Sequence, residues 1–246
     1  MNLLREKLKA SPLFARVAPF VVFLLIGFGQ GKFGESSRYW FYLAKTLVGA
    51  SLVWEMWPFV SEMRWALSWE AIVVGVGVCV IWVGLDGHYP TVNELLQKYL
   101  CPVLKRVGLE SWCAEPSAST KLWNPYQQFG QGSTWASAMV LVRILGSSIV
   151  VPPLEEVFFR SFLYRYIAKP DFQSVPFHRF AWTPLLGTVA VFGFEHYQWL
   201  AGILCGFAYQ WLVIRKDRLG DAVTAHAITN FLLGVWVVWK GAWQFW

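Results

Sequence analysis

Charge is scarce in this chain. Asp, Glu, Lys and Arg make up 15% of its 246 residues, where a soluble domain carries about 25%. Hydrophobic residues make up 56%, and the mean hydropathy is +0.43. One globular core of this size cannot hide that much apolar surface, which excludes an ordinary soluble domain and points to a polytopic membrane protein. Cysteine is also sparse. Cys79, Cys101, Cys113 and Cys205 form no CxxC pair and no zinc spacing, so neither a redox dithiol nor a zinc knuckle is encoded. Cys79 and Cys205 lie in apolar runs and read as packing residues. Cys101 and Cys113 share one polar loop, where a disulfide could form in an oxidising compartment. The HExxH of zinc proteases is absent, and Ser147 and Ser148 lack the GxSxG of serine hydrolases. No internal repeat is visible, which argues against most carrier folds.

The 16 tryptophans suit a chain with two membrane–water interfaces. The formal net charge of +6 comes from Lys and Arg spread between apolar runs rather than gathered in a patch. That distribution fits the positive-inside rule and gives no footing for nucleic acid. Apolar runs fall at about 17–30, 39–57, 69–85, 134–152, 153–168, 182–197, 199–214 and 221–239. The fold class expected is all-α, a membrane bundle of about seven to eight helices with its site in an intramembrane cavity. Residues 1–246 read as one integral membrane domain, with 134–239 as its chemical half. The segment 92–109 has helical apolar spacing and suits the membrane surface. Arg5, Lys7, Lys9 and Arg16 precede the first run and argue for an uncleaved first span with a cytoplasmic N-terminus. The basic loops around Arg165–Arg179 and 215–218 fall on that same side if 134–168 crosses once. Pro152 and Pro153 should break that helix.

Three clusters put ionisable or amide side chains at membrane depth, where each ionised group costs roughly 2.5–3.5 kcal/mol on insertion scales. The first is Glu155, Glu156 and Arg160. Glu156 and Arg160 are four apart and share a helical face, while Glu155 points about 100° away from Glu156. Glu156 is therefore expected to neutralise Arg160, leaving Glu155 free to face a cavity as an acid or base. The second is "FGFEHYQW" at 192–199, with His196 at the end of an apolar helix. The third is "TAHAITNFLLG" at 224–234, where His226 and Asn230 share one face. Any one cluster could be a hydrogen-bonded packing device. Three in successive spans point to function. Elsewhere, Lys45 and Glu55 are expected to snorkel to an interface, and Arg143 to find a carboxylate or an interface. Gly202 and Gly206 form a GxxxG suited to close helix packing.

The order EExxxR, FxxxH, HxxxN on successive apolar helices resembles the CPBP family of intramembrane proteases, which includes the CAAX prenyl proteases and bacteriocin-immunity relatives. Glu155, Glu156 and Arg160 match its first motif, with Pro153 before them. Phe192 and His196 match the second, and His226 and Asn230 the third. The resemblance covers roughly residues 140–235. One departure is Ser161, where the family often has Gly; both are small. The Trp-rich chain and its preceding spans also resemble the bacterial CAAX prenyl protease-related branch, which is associated with exosortase-type sorting systems. That implies an integral protein of a bacterial inner membrane.

The resemblance implies an endopeptidase acting on a peptide or protein substrate in or at the bilayer. Glu155, helped by His196, would activate a water. His226 and Asn230 would donate to the oxyanion, and Glu156 and Arg160 would orient Glu155. A zinc version uses Glu155, His196 and His226 as ligands; the metal-free version needs no cofactor. Two readings from other classes remain: a non-catalytic immunity or scaffold protein that only binds peptide, and an ion-coupled transporter using the Glu, His and Arg as a relay.

Overall fold

The structure, a computed structural model, describes residues 3–110, 113 and 122–246. The fold is all-α. Among the described residues the chain forms ten helices: α1 (Leu3–Ala10), α2 (Pro12–Gly27), α3 (Ser37–Met56), α4 (Trp69–Gly84), α5 (92–106), α6 (Pro125–Phe129), α7 (Thr134–Ala168), α8 (Trp182–Phe194), α9 (Trp199–Lys216) and α10 (Gly220–Lys240). Helices α7 and α10 are long and apolar enough to cross a membrane; α2, α4 and α8 are shorter and apolar. The surface helix expected at 92–109 forms as α5 and is mostly exposed.

The seven longer helices run alternately up and down, because their ends are tied in two groups. At one end Arg16 of α2 donates through Nε to Glu62 at 2.8 Å, in the turn between α3 and α4. Arg165 near the end of α7 lies 4.0 Å from the same carboxylate. Burial works to raise the Glu62 carboxyl, but Arg16 and the Ser161 hydroxyl outweigh it and hold it below the usual range. Lys216 at the end of α9 donates to Glu70 at the start of α4, at 2.7 Å. His178 ahead of α8 meets Asp217 after α9 at 3.0 Å. The opposite end is tied by aromatics and amides. Trp199 donates to the Pro90 carbonyl at 2.9 Å, Gln244 to Asp86 at 3.1 Å, and Trp123 packs edge-on to Trp246. One end is therefore basic and the other aromatic.

Close approach of backbones sets the core of this bundle. Helix α10 lies against α4, where a Cβ on Gly75 would come within 2.7 Å of the Ala225 carbonyl. The Thr229 hydroxyl donates to the Gly75 carbonyl at 2.8 Å and accepts from Tyr209 of α9 at 2.7 Å. Gly202 does what the GxxxG spacing led one to expect. A Cβ there would sit 3.0 Å from Gly193 Cα of α8.

Three expectations are corrected, and a fourth residue, Ser161, is given an added role. Helix α7 is not broken at Pro152-Pro153; it is continuous over 35 residues. A π turn over Gly146–Val150 precedes the prolines, with the Val151 N–H bonded five residues back to Gly146. The wider turn relieves the clash that a proline ring makes with the carbonyl four residues back. Lys45 does not snorkel out but turns into a cavity, its ammonium over the Phe23 ring at 4.1 Å. Glu55, its counterpart, is held by Arg5. Arg143 pairs with no carboxylate among the described residues and instead lies against aromatic rings. Ser161 is more than a small residue: its hydroxyl donates to Glu62 at 2.6 Å and accepts from Arg16 at 3.1 Å, so it ties α7 to α2. All four cysteines are free, and the Cys113 thiol donates to the Cys101 carbonyl at 3.6 Å.

Candidate active site

A cavity of about 470 Å³ enters the bundle and is lined by Glu155, His196, His226 and Asn230, with residues of α3, α7 and α10 around them. Glu156 and Arg160 lie behind its wall, 0% and 1% exposed. This is the separation expected from their angles on one helix.

The Glu156 carboxylate has two partners. Its Oε2 lies 3.2 Å from Arg160 Nε. Its Oε1 lies 2.9 Å from His226 Nδ1. A carboxylate paired with an arginine accepts, so Nδ1 is the nitrogen that donates to Glu156, in the neutral ring and in the imidazolium alike. The Nε2 edge then faces Glu155, 3.9 Å from its Oε2. That oxygen is buried and has no hydrogen-bond partner in the protein. One water at ordinary hydrogen-bonding distance from both atoms would subtend roughly a right angle, so the gap is of the size that a shared water fills. The His226 ring stacks on Tyr209 at 5.2 Å and meets the edge of Phe192 at 6.3 Å. The Arg160 guanidinium lies over Phe192 at 4.3 Å.

His196 lies just past the end of α8, and its Nδ1 is 2.7 Å from the Phe192 carbonyl. The four-residue spacing of FxxxH is thus a local cap: the histidine takes a carbonyl that the ending helix leaves unpaired. The Trp82 ring meets it edge-on at 5.3 Å.

Asn230 donates through Nδ2 to the Ser147 carbonyl at 2.8 Å. The π turn explains this contact. The Val151 N–H has gone to Gly146, and the next residue, Pro152, has no N–H. Ser147 is left without a helical donor, and Asn230 of α10 supplies one. Proline pair and asparagine therefore form one device. The second amide hydrogen of Asn230 remains for a ligand, since a side-chain amide carries two.

The metal alternative fits poorly. No three His, Cys, Asp or Glu side chains among the described residues are grouped to hold an ion. His226 and Glu155 stand 3.9 Å apart, against roughly 3.3–3.6 Å for two donors at about 2.0–2.2 Å from a tetrahedral zinc.

Three cavity residues were missed as site residues in the sequence: Lys45, Arg143 and Glu195, which directly precedes His196. Lys45 and Arg143 did give a signal: they are the lone cations inside their apolar runs.

Residues 137–232, from α7 into α10, match the family model described as Type II CAAX prenyl endopeptidase Rce1-like. No curated protein and no solved structure matches the chain. The family match falls on the same segment as the three motifs and bears out their resemblance to the CPBP proteases. In general terms it supports a membrane-embedded endopeptidase of the CAAX type.

Proposed function

We propose, with the Rce1-like segment at 137–232 as premise, that this chain hydrolyses a peptide bond of a membrane-associated or lipidated substrate with a glutamate-activated water and no metal. The observation that carries the reading is the gap of 3.9 Å between Glu155 Oε2 and His226 Nε2 inside a cavity. Glu155 takes a proton from the water as its oxygen attacks the carbonyl carbon. The developing oxyanion accepts from His226 Nε2–H and from the free Asn230 amide hydrogen. One such donor is worth about 3–4 kcal/mol of the barrier. Glu156 supports the imidazolium that this donation needs, and Arg160 balances Glu156. Glu155 then passes its proton to the leaving amine, which completes the cycle without net proton change. His196 lines the same cavity beside Trp82 and helps to position the water.

The experiment is a comparison of membrane-protein termini in cells carrying the wild-type chain or Glu155→Gln. Termini present only with wild type are the expected result; identical sets would sink the reading. A partner protein that merely binds peptide would keep its cellular phenotype with this substitution. Chelation supplies a separate prediction. Purified protein dialysed against EDTA and 1,10-phenanthroline is expected to keep its activity within about twofold. Loss of activity that zinc restores would reassign Glu155, His196 and His226 as ligands.

We also propose that the basic end of the bundle is cytoplasmic, in a bacterial inner membrane. Arg5, Lys7, Lys9, Arg165, Lys169, Arg215 and Lys216 gather there. The cavity is lined at its other end by Gln30, Tyr197 and Gln244 from the aromatic-end loops, so substrate would enter from the extracytoplasmic face. In a cysteine-free background, Lys32→Cys is expected to react with a membrane-impermeant maleimide in intact cells and Lys169→Cys only after lysis. The reverse pattern would invert this orientation.

A further inference from the structure

Arg143 has no carboxylate counter-ion among the described residues. Its guanidinium lies 4.3 Å from the centre of the Tyr42 ring, 4.9 Å from Trp123 and 5.8 Å from Trp246. Aromatic faces hold a guanidinium by its plane and leave its N–H edge free to donate. No carboxylate among the described residues takes that edge, and the guanidinium is half-buried in the cavity wall, where a ligand can reach it. Arg143 lines the same cavity as Glu155. Lys45 lines it too, within electrostatic reach of Arg143, Glu155 and Glu195.

The two ends of the cavity are set apart along one helix. Arg143, Ser147, Val151 and Glu155 are spaced by four and all line the cavity, so they form one stripe of α7. Twelve residues, five of them in the π turn, separate Arg143 from Glu155 by at most about 18 Å. Arg143 lies on the side of the aromatic-end loops, where the cavity opens. An extended peptide advances about 3.3 Å per residue, so that span accommodates up to about five residues.

We propose that Arg143, backed by Lys45, is an anion subsite that seats a free carboxylate of the bound peptide a few residues from the bond presented to Glu155. The identity of the ligand as a peptide rests on the peptidase reading above. A planar guanidinium presents two parallel N–H groups to a carboxylate, and the ring cage fixes their direction. The carboxylate could be the peptide's own C-terminus or an acidic side chain. Both have the same chemistry at this subsite, and the amidated probes below separate them.

The test measures binding rather than turnover, with the full-length Glu155→Gln protein in nanodiscs. The probe is an N-palmitoylated, dye-labelled heptapeptide of Ala, Val and Leu in three forms: free C-terminal acid, C-terminal amide, and C-terminal amide with a Glu at the penultimate position. The free acid is expected to bind at least about tenfold tighter than the plain amide. Adding Arg143→Gln should remove that difference by weakening the acid and leaving the amide unchanged. Arg143→Lys, which keeps the charge without the fork, should retain part of it and guards against a folding artefact. If the Glu-bearing amide matches the acid in an Arg143-dependent way, the subsite stands and takes a side-chain carboxylate. Equal binding of acid and plain amide, or a preference that survives Arg143→Gln, would overturn the proposal. Because no turnover is needed, an Arg143-dependent preference in a chain that cleaves nothing would reject the peptidase reading and leave the subsite intact.

Discussion

Glu155→Gln is expected to slow peptide hydrolysis by about 10²- to 10⁴-fold, the range over which a positioned general base acts, with little change in the folded protein. Both halves follow from the surroundings of this one side chain. The carboxylate lines the cavity, its Oε2 accepts no hydrogen bond from the protein, and His226 Nε2 is 3.9 Å away. Gln has the same shape, so no packing is lost, and no internal partner is abandoned. What is lost is the capacity to hold the proton of the attacking water. In nanodiscs, kcat should fall while KM and the unfolding temperature stay near wild type. His226→Ala should differ, because it removes a partner of Glu156 and lowers the unfolding temperature as well as kcat. A Glu155→Gln protein with more than a tenth of wild-type kcat would rule out the base role.

Arg160→Met is expected to be among the most destabilising single substitutions, at about 3–5 kcal/mol, the usual consequence of stranding one member of a buried ion pair. Glu156 is 0% exposed and Arg160 1%. Without the guanidinium, Glu156 keeps only His226 at 2.9 Å, and the carboxylate stays buried with its other oxygen unpaired. The Phe192 ring, which now supports the guanidinium at 4.3 Å, would meet a thioether of lower volume. Adding Glu156→Gln should recover most of the loss, since it removes the stranded charge. Unfolding in detergent, followed for both single variants and the double, reads the coupling directly. Additive losses in the double variant would mean that the pair is not the stabilising unit. The double variant should also stay slow, because His226 would no longer have an anion at Nδ1.

How much of the site could be read in the sequence depended on whether partners share a helix. Glu156 and Arg160 are four apart, so one turn of α7 sufficed to pair them and to turn Glu155 elsewhere. The FxxxH spacing worked for the same reason, because His196 caps the carbonyl of Phe192 four residues back. The Glu156 contact with His226 spans seventy residues and two intervening helices, and no local spacing encodes it. Asn230 on Ser147 is a middle case. The prolines announced that a backbone carbonyl would be left over, but not that α10 would reach it. Lys45 and Arg143 were visible as odd cations, yet a cation that snorkels and one that turns into a cavity look alike in one dimension.

The amino-acid sequence by itself determined that this is a membrane helical bundle, and it set three polar clusters, around Glu155, His196 and His226, inside apolar helices of the second half. Those properties follow from hydropathy and helical period, which act within a single helix. Only the tertiary structure decided that the proline pair is absorbed by a π turn, that Glu156 orients His226, and that Arg143 waits in an aromatic cage at the cavity's other end. These depend on how helices distant in the chain pack, and packing is set by the close approach of α4 to α10 and of α8 to α9 at their glycines. A lone side chain's sequence neighbours carry no record of such contacts.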